Sequence, residues 1–300
     1  MSLAETQPRR LLVIHNPTAG RRAQGRFARW HAALGRLGAA VTLARTEGPR
    51  HAIELARAAD PAKFDAVAVA GGDGTINDAV NGLAHSSLPL ALLPLGTANV
   101  LANELALPRD LEALAKIATF APARLIYPGE ILSEGQNEAW RFLLMAGIGF
   151  DAEVVAHLDL GLKRKLGKGA YAIESLRQLG RHQRRLFAAK LDGKEIAPAS
   201  LVIARAHFYG GRFVLAPAAR LDEAKLYAVI FPGASRWAAL RYMAAVVTGT
   251  LQRQCDVKVE TAQSIEIAGP VGAPVQVDGD VRMQLPVRIG LASTPLAIIA

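Results

Sequence analysis

Within its first hundred residues the chain repeatedly closes a short apolar run on a polar, glycine-bearing loop. Leu11–His15 runs into NPTAG (Asn16–Gly20), Ala66–Ala70 into GGDGT (Gly71–Thr75), and Leu90–Leu93 into LGTAN (Leu95–Asn99). A further apolar run, Val41–Ala44, lies between helical patterns at Phe27–Leu37 and His51–Ala59, and Ile76–Leu83 and Leu111–Phe120 continue the alternation. Strand and helix in strict turn predict a doubly wound α/β domain, a parallel sheet with helices on both faces. In such a sheet the loops after successive strands leave one carboxyl edge, where open α/β sheets bind ligands.

After Pro122 the rhythm changes. Short β-rich runs follow at Ala123–Tyr127, Trp140–Met145, Phe187–Lys190, Ser200–Ala204, Leu226–Phe231, Val257–Glu260, Ser264–Ala268, Val275–Val277 and Val287–Ile289, separated by Gly and Pro. These predict an antiparallel β-sandwich with inserted helices at Lys168–Arg181 and at Arg236–Leu251, the latter capped by Ser235. The domains are expected at 1–124 and 125–300, with the final residues packing back on the first.

At 300 residues and 51% hydrophobic the chain can bury a large core. A single cysteine, Cys255, allows no internal disulfide, and Met1–Arg10 lacks the apolar run of a secretion signal, so a reducing cytoplasm is expected. The long uncharged stretch Ala79–Asn103 is interrupted by Asn81, Gly82, Pro89, Pro94, Gly96 and Asn99 and does not read as a membrane span.

Net charge is +9, and much of the excess falls between Lys163 and Arg185, where Lys163, Arg164, Lys165, Lys168, Arg177, Arg181, Arg184 and Arg185 face only Glu174. That block reads either as a solvated helix face or as a contact for an anionic membrane surface. Helix Arg236–Leu251 carries Trp237, Leu240, Met243, Ala244 and Val247 at helical spacing, which packing on the sandwich explains, with lipid contact the alternative.

The GGDGT loop has a chemical reading. Glycines let backbone N–H groups crowd an anion, the following helix N-terminus adds positive potential, and Thr75 can cap it. Asp73 beside a phosphate is costly unless a metal or a proton lies between them. Alone, each loop is equally an ordinary turn. Together they form a polar cradle that a plain scaffold does not require.

The ordered set NPTAG, GGDGT, LGTAN, GIGFDAEV (Gly147–Val154), YGG (Tyr209–Gly211) with APAA and DEAKL, and VDGD (Val277–Asp280) resembles the diacylglycerol-kinase catalytic-domain family, the soluble bacterial lipid kinases similar to sphingosine and ceramide kinases. The resemblance implies an α/β ATP-binding domain and a β-sandwich lipid domain flanking a cleft, and transfer from Mg²⁺-ATP to a lipid hydroxyl. It implies nucleotide and metal contacts from Asn16, Pro17, Gly20, Gly71, Gly72, Asp73, Gly74, Thr75, Asn77, Gly96, Thr97 and Asn99. Asp280 stands where the family's DGE motif has its glutamate, the general base. Aspartate shortens that reach by about 1.5 Å, so Asp278 or Asp73 are alternative bases.

Other departures from the family pattern carry expectations too. DEA at Asp222–Ala224 replaces DDG, which in some relatives helps hold a structural Mg²⁺. Asp222 and Glu223 are therefore weakened candidates for a second metal. Arg205 replaces the Asn before YGG and, with Tyr209 and Asp151, is expected on the lipid head-group side; a helix cap is the plain reading of Asp151.

GIGFDA lacks a second mononucleotide unit, GLKRKLGKG (Gly161–Gly169) is not a phosphate-binding P-loop, and the seven histidines show no metal-binding pair spacing. The rivals are NAD kinase, which shares GGDGT but not LGTAN, and a non-catalytic protein of anionic membranes. Sparse aromatics argue against nucleic acid. The lipid hydroxyl could belong to a diacylglycerol, a sphingoid base or ceramide, or a phosphatidylglycerol, and no feature selects an oligomeric state, a homodimer included.

Overall fold

A computed structural model describes residues 7–20, 23–159, 168–181 and 185–300. The chain divides into two compact units, one comprising Met1–Ile126 and Thr294–Ala300, the other Tyr127–Ser293.

The first unit contains β1 (Arg10–His15), α1 (Ala23–Arg36), β2 (Ala40–Arg45), α2 (His51–Arg57), β3 (Ala66–Gly71), α3 (Asp73–Gly82), β4 (Leu90–Pro94), α4 (Val100–Glu104), α5 (Leu111–Phe120) and β5 (Ala123–Ile126). Its sheet runs β2-β1-β3-β4, then the C-terminal strand Leu296–Ile299, then β5, and every pair but the last is parallel.

Strand β3 (AVAVAG) is buried at every position, as a strand covered on both faces must be. Its Ala66, Ala68 and Ala70 share a core with Leu11, Val13 and Trp30, under α1 and α5. Helix α2 packs on α3, outside that core. Strand β1 sits between β2 and β3, so the chain order reverses there and the loops after β1 and β3 flank the reversal.

The second unit contains β6 (Gly129–Ser133), β7 (Trp140–Phe142), β8 (Met145–Ile148), α6 (Phe150–Ala156), α7 (Lys168–Arg181), β9 (Ala188–Leu191), β10 (Lys194–Ile196), β11 (Ser200–Ala204), β12 (Phe208–Tyr209), β13 (Phe213–Val214), β14 (Leu226–Phe231), α8 (Arg236–Thr248), β15 (Lys258–Ala262), β16 (Ile265–Gly269), β17 (Pro274–Val277), β18 (Asp280–Gln284) and β19 (Val287–Leu291). One antiparallel sheet runs β10-β9-β16-β19-β6-β7 and the other β15-β14-β11-β8-β17-β18, with β12 and β13 a separate hairpin. Alternation in β9 and β16 turns one set of side chains into a core shared with the other sheet, around Ile131, Phe142, Ile203 and Val275.

Several local expectations give way. Ala123–Tyr127 belongs not to the sandwich but to the edge of the first sheet, as β5 paired to the C-terminal strand. The run Trp140–Met145 is two strands, because the Asp278 carboxylate takes the N–H groups of Leu143, Leu144 and Met145 and interrupts the ladder. Helix α8 ends at Thr248, since Gly249 turns into the left-handed region at φ 70°. Its buried face is Ala239, Tyr242 and Ala245, and Trp237, Leu240 and Val247 are exposed, the reverse of the packing expectation. Strands β6, β10, β12, β13 and β18 and helices α4 and α6 correspond to no strand or helical run singled out in the sequence.

Candidate functional site

In the first unit the loops after β1, β3 and β4 are knitted together by their own polar groups. Asn16 donates its backbone N–H to Ala70 O (3.0 Å) and its side-chain amide to Thr75 Oγ1 (2.9 Å). Its Oδ1 accepts from the N–H (3.0 Å) and hydroxyl (2.8 Å) of Thr18. Asp73, the first residue of α3, accepts the N–H groups of Val100 (3.1 Å) and Leu101 (3.3 Å), capping α4. The GGDGT loop thus bonds both its neighbours.

Two glycines are dictated by this closeness. A methyl group at Gly96 would lie 2.8 Å from Gly72 Cα, and one at Gly20, where φ is 85°, would lie 2.5 Å from Leu95 O. Gly72 is also the N-cap of α3 and supplies no side-chain cap, which leaves the helix start available to an anion. Asn99, left-handed at φ 47°, donates Nδ2 to Gly96 O (2.9 Å), and its buried Oδ1 has no hydrogen-bond partner among the described residues.

Pro17 and Gly74 are half-buried at the same loops and Thr97 is exposed. Asn77 departs from expectation: it is 4% exposed and its carbonyls are bonded by Asn81 (2.9 and 3.4 Å), so it braces α3 from within. His15, which the sequence did not single out, is buried beside Asn16 and stacked on Phe27 at 3.7 Å. Burial, with Arg45 nearby, pushes its imidazole below the ordinary range.

The second unit holds the other carboxylates. Asp278 is left-handed at φ 49°, and its carboxylate accepts three backbone N–H groups, from Leu143, Leu144 and Met145, each at 2.9 Å. It anchors the turn, an arrangement at odds with its expected role as a base. Gly279 donates its N–H to Gln276 Oε1 (2.9 Å), and Gln276 Nε2 donates to Asp151 Oδ2 (2.7 Å). Tyr209 donates its hydroxyl to the other oxygen of Asp151.

Asp151 thus lies in the first turn of α6 with its carboxyl packed into the protein, and burial pushes its pKa above the ordinary carboxylate range, offset in part by the hydrogen bonds from Tyr209 and Gln276. Gly147 of GIGFDA is explained by the same contact, since a methyl there would lie 2.4 Å from Asp151 Oδ2. Asp280 opens β18 with its side chain 43% exposed, paired to Arg282 Nη2 at 3.2 Å. The Arg282 guanidinium in turn lies 4.8 Å over the Trp140 ring.

Arg205 is 0% exposed, which removes it from the expected head-group contacts. Asp222 is paired with Arg220 (2.9 Å), and Glu223 with Lys225 (2.9 Å) and Arg220 (3.5 Å). Among the described residues no group of three or more His, Cys, Asp or Glu side chains is placed to hold a metal.

Comparison with known families follows the two units. The "Diacylglycerol kinase catalytic domain" matches residues 10–127, and the "YegS C-terminal NAD kinase beta sandwich-like domain" matches residues 145–300. The chain belongs to this lipid kinase family. A diacylglycerol kinase of Mycobacterium tuberculosis is 29% identical over 97% of this chain and 94% of its own length. The "Probable lipid kinase YegS-like" protein of Stenotrophomonas maltophilia is 30% identical over 76% of the chain and 74% of its own length. A diacylglycerol kinase crystal structure from Bacillus anthracis matches the fold with a TM-score of 0.73 at 23% identity, covering 98% of each chain.

Proposed function

We propose that this lipid kinase transfers the γ-phosphoryl group of Mg²⁺-ATP to a hydroxyl of a membrane lipid, with diacylglycerol as the first class to test. The observation that carries the reading is the bonded loop cluster in which Gly20 and Gly96 leave no room for side chains. Backbone N–H groups of the GGDGT loop and the start of α3 hold the phosphates. Asn99 Oδ1, without a partner among the described residues, accepts a hydrogen from the bound nucleotide or its water.

The residues present fit Mg²⁺ that arrives on nucleotide phosphates, which asks the protein for only a carboxylate or two, and Asp73 is the carboxylate of the cluster. When bound, that ion neutralises charge on the transferring phosphoryl group. Asp280 takes the proton of the acceptor hydroxyl as the new oxygen–phosphorus bond forms and the bond to ADP breaks. Asp278, Gln276 and Arg282 hold the turn that carries Asp280.

Contact with the bilayer is peripheral in this reading: among the described residues no helix is long and apolar enough to cross a membrane. The exposed Trp237 (68%) and Val247 (63%) of α8, with Arg236 over the Trp237 ring, suit the interface of an anionic bilayer. Of the basic block, Lys163, Arg164, Lys165 and Arg184 lie outside the described residues, Arg177 pairs with Glu174 at 3.5 Å and Arg185 is exposed.

The test is transfer of label from γ-³²P-ATP with Mg²⁺ into mixed micelles containing, one at a time, diacylglycerol, monoacylglycerol, phosphatidylglycerol, ceramide or a sphingoid base, with NAD as a parallel acceptor. Labelled lipid is expected. Labelled NADP, or label in no acceptor, would overturn the reading.

A further inference from the structure

The guanidinium of Arg205 sits in a shell made almost wholly of main-chain carbonyls. Nε donates to Tyr127 O at 2.7 Å, and Nη2 donates to Glu223 O at 2.7 Å, Leu221 O at 3.0 Å and Arg220 O at 3.2 Å. Nη1 donates to Lys225 O, and Leu221 O also accepts the N–H of Tyr127 at 2.9 Å. Four of these five carbonyls come from residues 220–225, a single tight loop.

Carbonyl dipoles that point at one centre repel each other, and burying them together is costly unless a cation occupies the centre. Backbone carbonyls gathered from one loop are the kind of oxygen set that hard divalent cations use. The loop's own carboxylates, Asp222 and Glu223, are bonded to Arg220 and Lys225. Burial pushes the Arg205 guanidinium down to about 10, which leaves it charged at neutral pH.

We propose that Arg205 is a built-in cation that takes the place of a bound divalent ion in the 220–225 loop, so that this loop takes no metal and its fold is independent of divalent cations. The side chain's planar fork meets several acceptors at once, which a lysine in the same place would not. The disagreement with the DDG pattern then has one cause. The chain carries its loop cation covalently, and the carboxylates pair with neighbouring surface cations.

The experiment is thermal unfolding of the full chain without nucleotide, in chelator, in Mg²⁺ and in Ca²⁺, for wild type, Arg205→Asn and Arg205→Lys. Wild type is expected to unfold at one temperature in all three media. Arg205→Asn is expected to unfold on the order of 10 °C lower in chelator, since it leaves buried carbonyls unpaired, and to recover part of that loss in Ca²⁺. Arg205→Lys is expected between the two, which keeps the test open if the asparagine variant does not fold. A wild-type midpoint that falls in chelator and rises with Mg²⁺ or Ca²⁺ would overturn the proposal, as would an Arg205→Asn variant as stable as wild type without any added cation.

Discussion

The side-chain amide of Asn16 donates to the hydroxyl of Thr75 across 2.9 Å, joining the loop after β1 to the loop after β3 at the reversal in strand order. This bond is a checkable part of the phosphate cradle. Asn16→Ala and Thr75→Val should each weaken nucleotide binding, and a double-mutant cycle should return a coupling of about 1 kcal/mol. Titration calorimetry with an ATP analogue measures it; strictly additive losses would mean the bond does not organise the site.

Asp278 and Asp280 are two residues apart and should respond differently. Asp278→Ala removes the acceptor of three backbone N–H groups and should lower stability by roughly 2–4 kcal/mol. Asp280→Ala, at a side chain 43% exposed with one ion-pair partner, Arg282, should cost less than Asp278→Ala, on the order of 1 kcal/mol. Denaturant unfolding of both variants distinguishes anchor from reactive group.

Gln276 links Gly279 to Asp151, so Gln276→Leu should loosen the turn carrying Asp280 without touching the nucleotide. The expected signature is a fall in kcat of about tenfold or more with the ATP Kd unchanged. Gln276→Glu keeps the acceptor for Gly279 but loses the donor to Asp151, and should be intermediate.

The two perturbed groups beside these loops predict opposite pH slopes. His15 has a folded pKa below its unfolded value, so as pH falls through about 6.5 the unfolded chain takes up a proton that the folded chain refuses, and stability is lost on the acid side. Asp151 has a folded pKa above its unfolded value, so as pH rises past the ordinary carboxylate range the unfolded carboxyl ionises first and stability declines until the folded pKa is passed. Thermal midpoints across pH should lose the first slope in His15→Phe, which keeps the stack on Phe27, and the second in Asp151→Asn.

The α/β half was legible because β1 to β4 are short runs each cut off by a glycine or proline loop, and β3 is buried along its whole length; β5 reads with the sandwich runs, and the C-terminal strand carries no such signal. The sandwich was legible as a class, and its details were not. The break between β7 and β8 depends on Asp278, whose bond to Leu143 spans 135 residues, and no local pattern announces such an acceptor. Helix α8 is apolar on two sides, so periodicity alone could not choose the small, tight face of Ala239, Tyr242 and Ala245 over the side bearing Trp237.

Within the site, the glycines and Asn16 were readable from loop composition. Gln276 and Arg282 act through partners that only the folded turn supplies. Arg205 was placed on the lipid side by its position before YGG, whereas its partners are carbonyls of its own chain.

The most direct test of the whole account is steady-state phosphoryl transfer to diacylglycerol by wild type and Asp280→Asn, with ATP affinity measured alongside. The account predicts transfer by wild type, a fall in kcat of about 10²–10⁴-fold in the variant, and an ATP Kd that changes little. Transfer by Asp280→Asn at the wild-type rate would contradict it.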